Sequence, residues 1–202
     1  MKVTVVIPYV RDHLIDRCVN TTLMNSGLPT TEYRIMIKKD KQGIGLARML
    51  NGMVALAPTQ MVCFIGEDCV PQLHFLKNAL RAMKTLPDEW GLVGLSDNTN
   101  RTDLACHYVA DKRLIPLLGG ELIHSGYKHC CSDLELTTRC REHNKFVYCK
   151  EAVVIHEHPL LNNKIPTDEI YKKIYSPEWV NHDNELYKKR LKSNWTYTER
   201  DS

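Results

Sequence analysis

The apolar and polar positions of the chain alternate between two rhythms. Short apolar runs, "VTVVI" (3–7), "YRIMI" (33–37), "MVCFI" (61–65) and "GLVGL" (91–95), predict strands. Between them the apolar residues recur with a helical period. Leu14, Ile15, Cys18, Val19 and Leu23 mark one helix within 12–24. "GIGLARMLNGMVAL" (43–56) reads as a glycine-led helix ending near Pro58, and "QLHFLKNALRAMK" (72–84) as an amphipathic one. This β-α-β-α-β-α-β order predicts an α/β fold, a mostly parallel sheet with helices on both faces. Ligands of such open sheets sit beyond the carboxyl ends of the strands.

After residue 96 the pattern loosens. "SDNTNRTD" (96–103) reads as a polar loop and "LGGELIHSG" (118–126) as a glycine-marked one. A helix is expected over 132–143, with Ser132 as its N-cap and Asp133 and Glu135 in its first turn. "KFVYC" (145–149) and "AVVI" (152–155) read as two strands, the second stopped by "HEHP" (156–159). "DEIYKKIY" (168–175) and "PEWVNHDNELYKKRLKSNW" (177–195) read as helices.

Size and composition narrow the field. The 202 residues fit one domain with a short appendage. A net charge of +3 is too weak to argue for nucleic-acid binding. No apolar run approaches the ~20 residues of a membrane helix. "MKVTVVIPYV" reads as a first strand rather than a signal peptide, so the expected address is the cytoplasm. The eight cysteines include no C-x-x-C pair and read as reduced thiols. A zinc-stabilised interaction domain built on His129, Cys130, Cys131 and Cys140 is the other reading, with a spacing unlike standard zinc knuckles.

Chemistry enters at "FIGEDCVPQ" (64–72), where two acids follow a strand. The stretch reads either as a turn whose acids face water or as a carboxylate held at the sheet edge for a cation. It is one of four pieces, with "VVIPYVRD" (5–12), "GIGLARMLNG" (43–52) and "SDLELTTRCREHNKFVYCKEAVVIHEHP" (132–159). Their order and spacing resemble family 2 glycosyltransferases, inverting enzymes with the Rossmann-like GT-A fold that use nucleotide-sugar donors. The matching residues are Gly43 to Gly52, Asp68 to Pro71, Asp133-Leu134-Glu135-Leu136 with Arg139, and His156-Glu157-His158. The resemblance covers roughly residues 3 to 159. It implies a catalytic domain over 1–159 and a C-terminal helical extension over 160–202, similar to the short helices of compact phage-type members.

The resemblance also implies roles. Asp68 would ligate Mn²⁺ or Mg²⁺, with His156 or His158 as a further ligand, and imidazole would favour Mn²⁺. Asp133 would be the general base that takes the acceptor hydroxyl's proton. Donor contacts would come from Pro8, Tyr9 stacking on a base, Arg11, Asp40 accepting from base or ribose, Gly43, Arg48 and Glu67. Gly119, Gly120, Glu135 and Arg139 would lie on the acceptor side, Arg139 bracing the acids or touching diphosphate. Two positions depart from the family pattern: Gly66 stands at its first aspartate, and Ser132 at the glutamate that precedes its base. Either Glu67 compensates for Gly66, or ribose and metal are held with one acid fewer. The implied partner is a nucleotide sugar, a UDP-sugar first; the acceptor stays open among a glycan, a lipid-linked glycan, a protein and a modified DNA base. The alternative is a nucleotide- or nucleic-acid-binding module that kept the fold without transfer. The basic cluster Lys188, Lys189, Arg190 and Lys192 reads as a solvated helix face, with an anionic acceptor or a membrane surface as the other readings.

Overall fold

The computed structural model of the chain describes residues 1–97 and 104–198, so most of the expected polar loop at 96–103 lies outside the described residues. The first half follows the sequence pattern. It runs β1 (Val3–Tyr9), α1 (Asp12–Asn25), β2 (Tyr33–Lys39), α2 (Leu46–Leu56), β3 (Met61–Phe64), β4 (Cys69–Pro71), α3 (Phe75–Met83) and β5 (Leu92–Ser96). Then come β6 (Tyr108–Asp111), α4 (Leu114–Leu117), α5 (Ser132–Glu142), β7 (Phe146–His156), α6 (Glu169–Ile174) and α7 (Pro177–Lys192). The helix expected from residue 43 begins only at Leu46. Gly43 and Gly45 have φ of +67° and +87°, a left-handed backbone that an α-helix cannot continue through.

The strands form one seven-stranded sheet in the order β2-β1-β3-β6-β5-β7-β4. From the pairings, β2, β1, β3, β5 and β7 run one way, while β6 and β4 run against them. The sheet is thus mostly parallel, as the sequence pattern predicts, but β6 is an unforeseen insertion between β3 and β5. "KFVYC" and "AVVI" belong to the single strand β7. Its partner β5 steps from Leu95 opposite Cys149 to Ser96 opposite Val153, so Lys150, Glu151 and Ala152 bulge out.

Both faces of the sheet are covered. Val3, Val5 and Ile7 pack with Ile15 and Cys18 of α1 and with Phe75, Leu76 and Ala79 of α3. Val6, Val62 and Phe64 face Met49, Leu50 and Met53 of α2, Leu114 of α4 and Leu136 of α5. Strands buried on both faces need continuous apolar runs, which is why β1 reads "VTVVI". The layering leaves the carboxyl ends of β1, β3, β5 and β7 at one edge.

The C-terminal helices close over that edge. Asp168 caps α6 through the Tyr171 amide, and Ser176 caps α7 through the Trp179 amide. Helix α7 buries Asp183, Leu186 and Arg190 while Lys188, Lys189 and Lys192 stay exposed. Arg190 therefore does not belong to the solvated basic face expected of it. No helix among the described residues is long and apolar enough to cross a membrane.

Candidate active site

The two acids after β3 turn inward and do different things. Glu67 accepts from the backbone amides of Val10 and Arg11 (3.2 Å for Arg11) and from Arg11 Nη1 at 3.0 Å. It ties the end of β3 to the end of β1. Burial raises its pKa, against the lowering by those two amides. Arg11 is itself buried, with Nε 2.8 Å from Asp168 Oδ2 and its guanidinium 4.0 Å over the Tyr171 ring.

Asp68 is also buried but has other partners. Its Oδ2 accepts the Tyr171 hydroxyl at 2.7 Å and lies 3.5 Å from Arg11 Nη1; its Oδ1 lies 3.4 Å from His156 Nε2. Burial would raise its pKa, yet His156 and Tyr171 together hold it well below the usual carboxylate range. The short strand β4 creates this meeting by setting Cys69 opposite His156 of β7. The His156 ring lies 5.1 Å from that of His158 and 4.7 Å from that of His107. Burial, then repulsion from His156, brings His158 down to about 4 and His107 to about 3. Both are therefore neutral at pH 7, the form of imidazole that ligates metals.

Gly66 gives the cluster its room. A Cβ there would stand 2.7 Å from Asp68 Oδ1, 3.4 Å from His107 Nε2 and 3.8 Å from Cys69 Sγ. An acid at 66 would crowd the Asp68 carboxylate, and both oxygens of Glu67 are engaged by the end of β1 and by Arg11. The donor set suits a divalent cation. It offers an ionised carboxylate, neutral imidazoles, and a His158 Nε2 that is buried without a hydrogen-bond partner.

A second group of residues surrounds α5. Its first turn is preceded by Cys131 in the left-handed region (φ 63°), and Ser132, the expected cap, is instead inside the helix with its hydroxyl 3.4 Å from the His129 carbonyl. Asp133 is half-buried; Oδ1 accepts the Leu134 amide at 2.9 Å and Oδ2 the Cys106 thiol at 3.2 Å. The pKa of Tyr175 rises through burial, then through the charges of Cys130, Asp68 and Asp133. Glu135 is buried and forked by Arg190, Nε to Oε2 at 2.7 Å and Nη2 to Oε1 at 2.6 Å. The Tyr127 hydroxyl (2.7 Å) and Arg139 Nη1 (3.3 Å) complete its shell. Burial would raise its pKa; Arg190 and Tyr127 lower it. Arg139 thus braces an acid and donates to the Leu118 carbonyl at 2.9 Å.

The donor-side expectations spread more widely. Tyr9 is half-buried against the apolar core, and Pro8 is buried before it. Both carboxylate oxygens of Asp40 accept loop amides, Ile44 and Gly45 at 3.0 Å each. Gly43, exposed Arg48, Gly119, Tyr127, Trp179 and Arg190 help line an open cleft of about 1000 Å³. Gly120 is exposed beside Gly119, both at positive φ. On α7, buried Asp183 accepts the amides of Lys128 (2.9 Å), His129 (2.8 Å) and Cys130 (2.6 Å), fixing the segment that leads into α5.

Sequence reasoning missed His107, Cys69, Tyr171, Asp183 and the inward turn of Arg190. His107 directly precedes β6, so an unread strand hid it. The alternative zinc cluster does not assemble: Cys140, on the buried face of α5, points into the core shared with α2. The one group of metal-ligating side chains found among the described residues is Cys69, His107 and His156.

No protein-family model and no curated protein matches the chain. Solved structures do match it. S. aureus TarS aligns with 98% of the chain at a TM-score of 0.61 and 11% identity, the chain spanning 44% of TarS. TarS 1-349 in complex with UDP-GlcNAc aligns with all of it (100%) at 0.62 and 10% identity, 74% of that chain being spanned. Mannosyltransferase PcManGT from Pyrobaculum calidifontis, in complex with GDP-Man and Mn²⁺, aligns with 76% of the chain at 0.64 and 14% identity, 56% of it being spanned. The chain thus spans about half the length of TarS and of PcManGT, and shares with them the GT-A fold that its sequence resembles.

Proposed function

We propose that the chain is an inverting glycosyltransferase of family 2 type, cation-dependent and cytoplasmic, taking a nucleotide sugar as donor. The observation that carries this is Asp68, held ionised beside His156, whose ring lies 5.1 Å from that of His158. TarS has been solved with UDP-GlcNAc and PcManGT with GDP-Man, so a UDP-sugar is the first donor to test. Asp68, His156 and His158 would hold Mn²⁺ or Mg²⁺, which when bound neutralises charge on the departing diphosphate.

The chain's own residues do the rest. Tyr171 and Arg11 fix the Asp68 carboxylate. Glu67 and Asp40 shape the donor side through the backbone of β1 and of the loop before α2. Tyr9, next to Pro8, offers a ring to a base; Gly43 leaves the cleft open, and Arg48 offers a cation to phosphate. On the acceptor side, behind Gly119 and Gly120, the hydroxyl oxygen bonds to the anomeric carbon as the carbon–diphosphate bond breaks. Its proton passes to Asp133. Glu135, held by Arg139 and Arg190, keeps α5 in register with α7.

Asp68→Asn tests the reading. The variant should fold normally yet lose the Mn²⁺-dependent rise in melting temperature that UDP gives the unmodified chain. At a ligand excess of 100 over Kd that rise corresponds to roughly 2.7 kcal/mol. An undiminished rise in the variant would remove Asp68 from the donor site.

A further inference from the structure

Cys69 Sγ and His107 Nε2 lie 3.1 Å apart, both buried beside Gly66. Their ligating atoms and one of His156 all fall within 4.8 Å of one another. A tetrahedral zinc ion with bonds of about 2.0–2.3 Å spaces its ligands by roughly 3.3–3.8 Å, so small side-chain movements suffice to close this trio on one ion. His107 Nδ1 has no hydrogen-bond partner and faces Asp97 Oδ2 at 3.9 Å. A carboxylate thus stands on the side of the imidazole away from Cys69, where zinc-ligating histidines usually have one. Asp68, 3.4 Å from His156, adjoins the trio on its open side.

We propose that Cys69, His107 and His156 form a soft cation site beside Gly66, and that it takes Zn²⁺ in preference to Mn²⁺. A thiolate and two imidazoles favour zinc over manganese, and the order of intrinsic affinities runs the same way. The site lies one layer deeper than the Asp68 edge and shares His156 with it, so one ion excludes the other. The inference rests on the proposed function only for where a cation sits; its readout needs no turnover.

The 202-residue chain, stripped with chelator and kept reduced, is titrated with Co²⁺. A single Co²⁺ should give tetrahedral visible bands and a near-ultraviolet thiolate-to-cobalt charge-transfer band, both abolished by one equivalent of Zn²⁺ and unaffected by Mn²⁺. Cys69→Ser should lose the charge-transfer band, Cys130→Ser should keep it, and His107→Ala should weaken Co²⁺ more than tenfold. X-ray absorption at the zinc edge of the unmodified protein should show one sulfur at about 2.3 Å, a result that needs no variant to fold. Cobalt bound without the charge-transfer band, a band that survives in Cys69→Ser, or zinc with only oxygen and nitrogen neighbours would overturn the proposal. In those cases Mn²⁺-dependent stabilisation by UDP would still support the transferase reading; a sulfur-ligated zinc without any donor binding would sink that reading and leave this one standing.

Discussion

Replacing Asp133 by Asn is expected to lower sugar transfer by ~10²–10⁴-fold while leaving melting temperature and donor affinity nearly unchanged. A general base matters only as the acceptor's proton moves, so its loss appears as roughly 3–5 kcal/mol of barrier and not as binding. The local geometry makes Asn a mild change. Its carbonyl oxygen can still accept the Leu134 amide, and the remaining partner of Asp133, the Cys106 thiol, is a weak donor that an incoming hydroxyl replaces at little cost. The charge lost from the first turn of α5 costs the fold about 0.3–1 kcal/mol. Single-turnover transfer, thermal melting and donor titration check the three parts. Transfer surviving within a few-fold would make Asp133 an ordinary helix-start acid. Glu135 is no substitute, since Arg190 already occupies both its oxygens.

Glu135→Ala should have the largest effect on stability. The change leaves the Arg190 guanidinium buried with its charge uncompensated and takes the acceptor from Tyr127. Breaking one side of a buried pair costs about 3–5 kcal/mol, a large share of the 5–15 kcal/mol that holds a domain together. For a chain of this length that is a fall in melting temperature of roughly 6–20 °C. Replacing both partners by apolar residues, Glu135→Leu with Arg190→Met, should recover most of it, because the buried Arg190 charge is then no longer stranded. A single variant that melts within 2 °C of the unmodified chain would show that the pair contributes little.

The parts of the fold legible in the sequence are those whose burial is local. β1, β3 and β5 announce themselves because strands covered on both faces need unbroken apolar runs, whereas β2, at the sheet's edge and only partly buried, shows itself through the shorter apolar stretch of "YRIMI". β6 was hidden by its length: four residues, Tyr108–Asp111, give no period to read. β4 looked like a turn because it is three residues long and ends in Pro71, which a strand at the sheet's edge tolerates. Yet β4 is what sets Cys69 opposite His156 and so gathers the cation cluster. Asp68, His156 and Asp133 were therefore reached through the order of motifs, not through any periodicity. Tyr171, which orients Asp68, comes from 103 residues further along the chain and carries no local signal at all. Arg190 was misread for a related reason: its neighbours Lys188, Lys189 and Lys192 are exposed, and only its Glu135 partner on another helix shows that it points inward.

The most direct measurement is a panel of nucleotide sugars, each added with Mn²⁺ to the purified chain, with release of nucleoside diphosphate followed over time. The account expects at least one donor, a UDP-sugar first, to raise the melting temperature by about 5–10 °C near 100-fold excess over Kd. The same donor should release its diphosphate slowly to water, faster when a hydroxyl acceptor is supplied, and neither in excess chelator. Stabilisation by a nucleotide with no diphosphate released from any donor would contradict transfer and identify a nucleotide-binding module on the same fold.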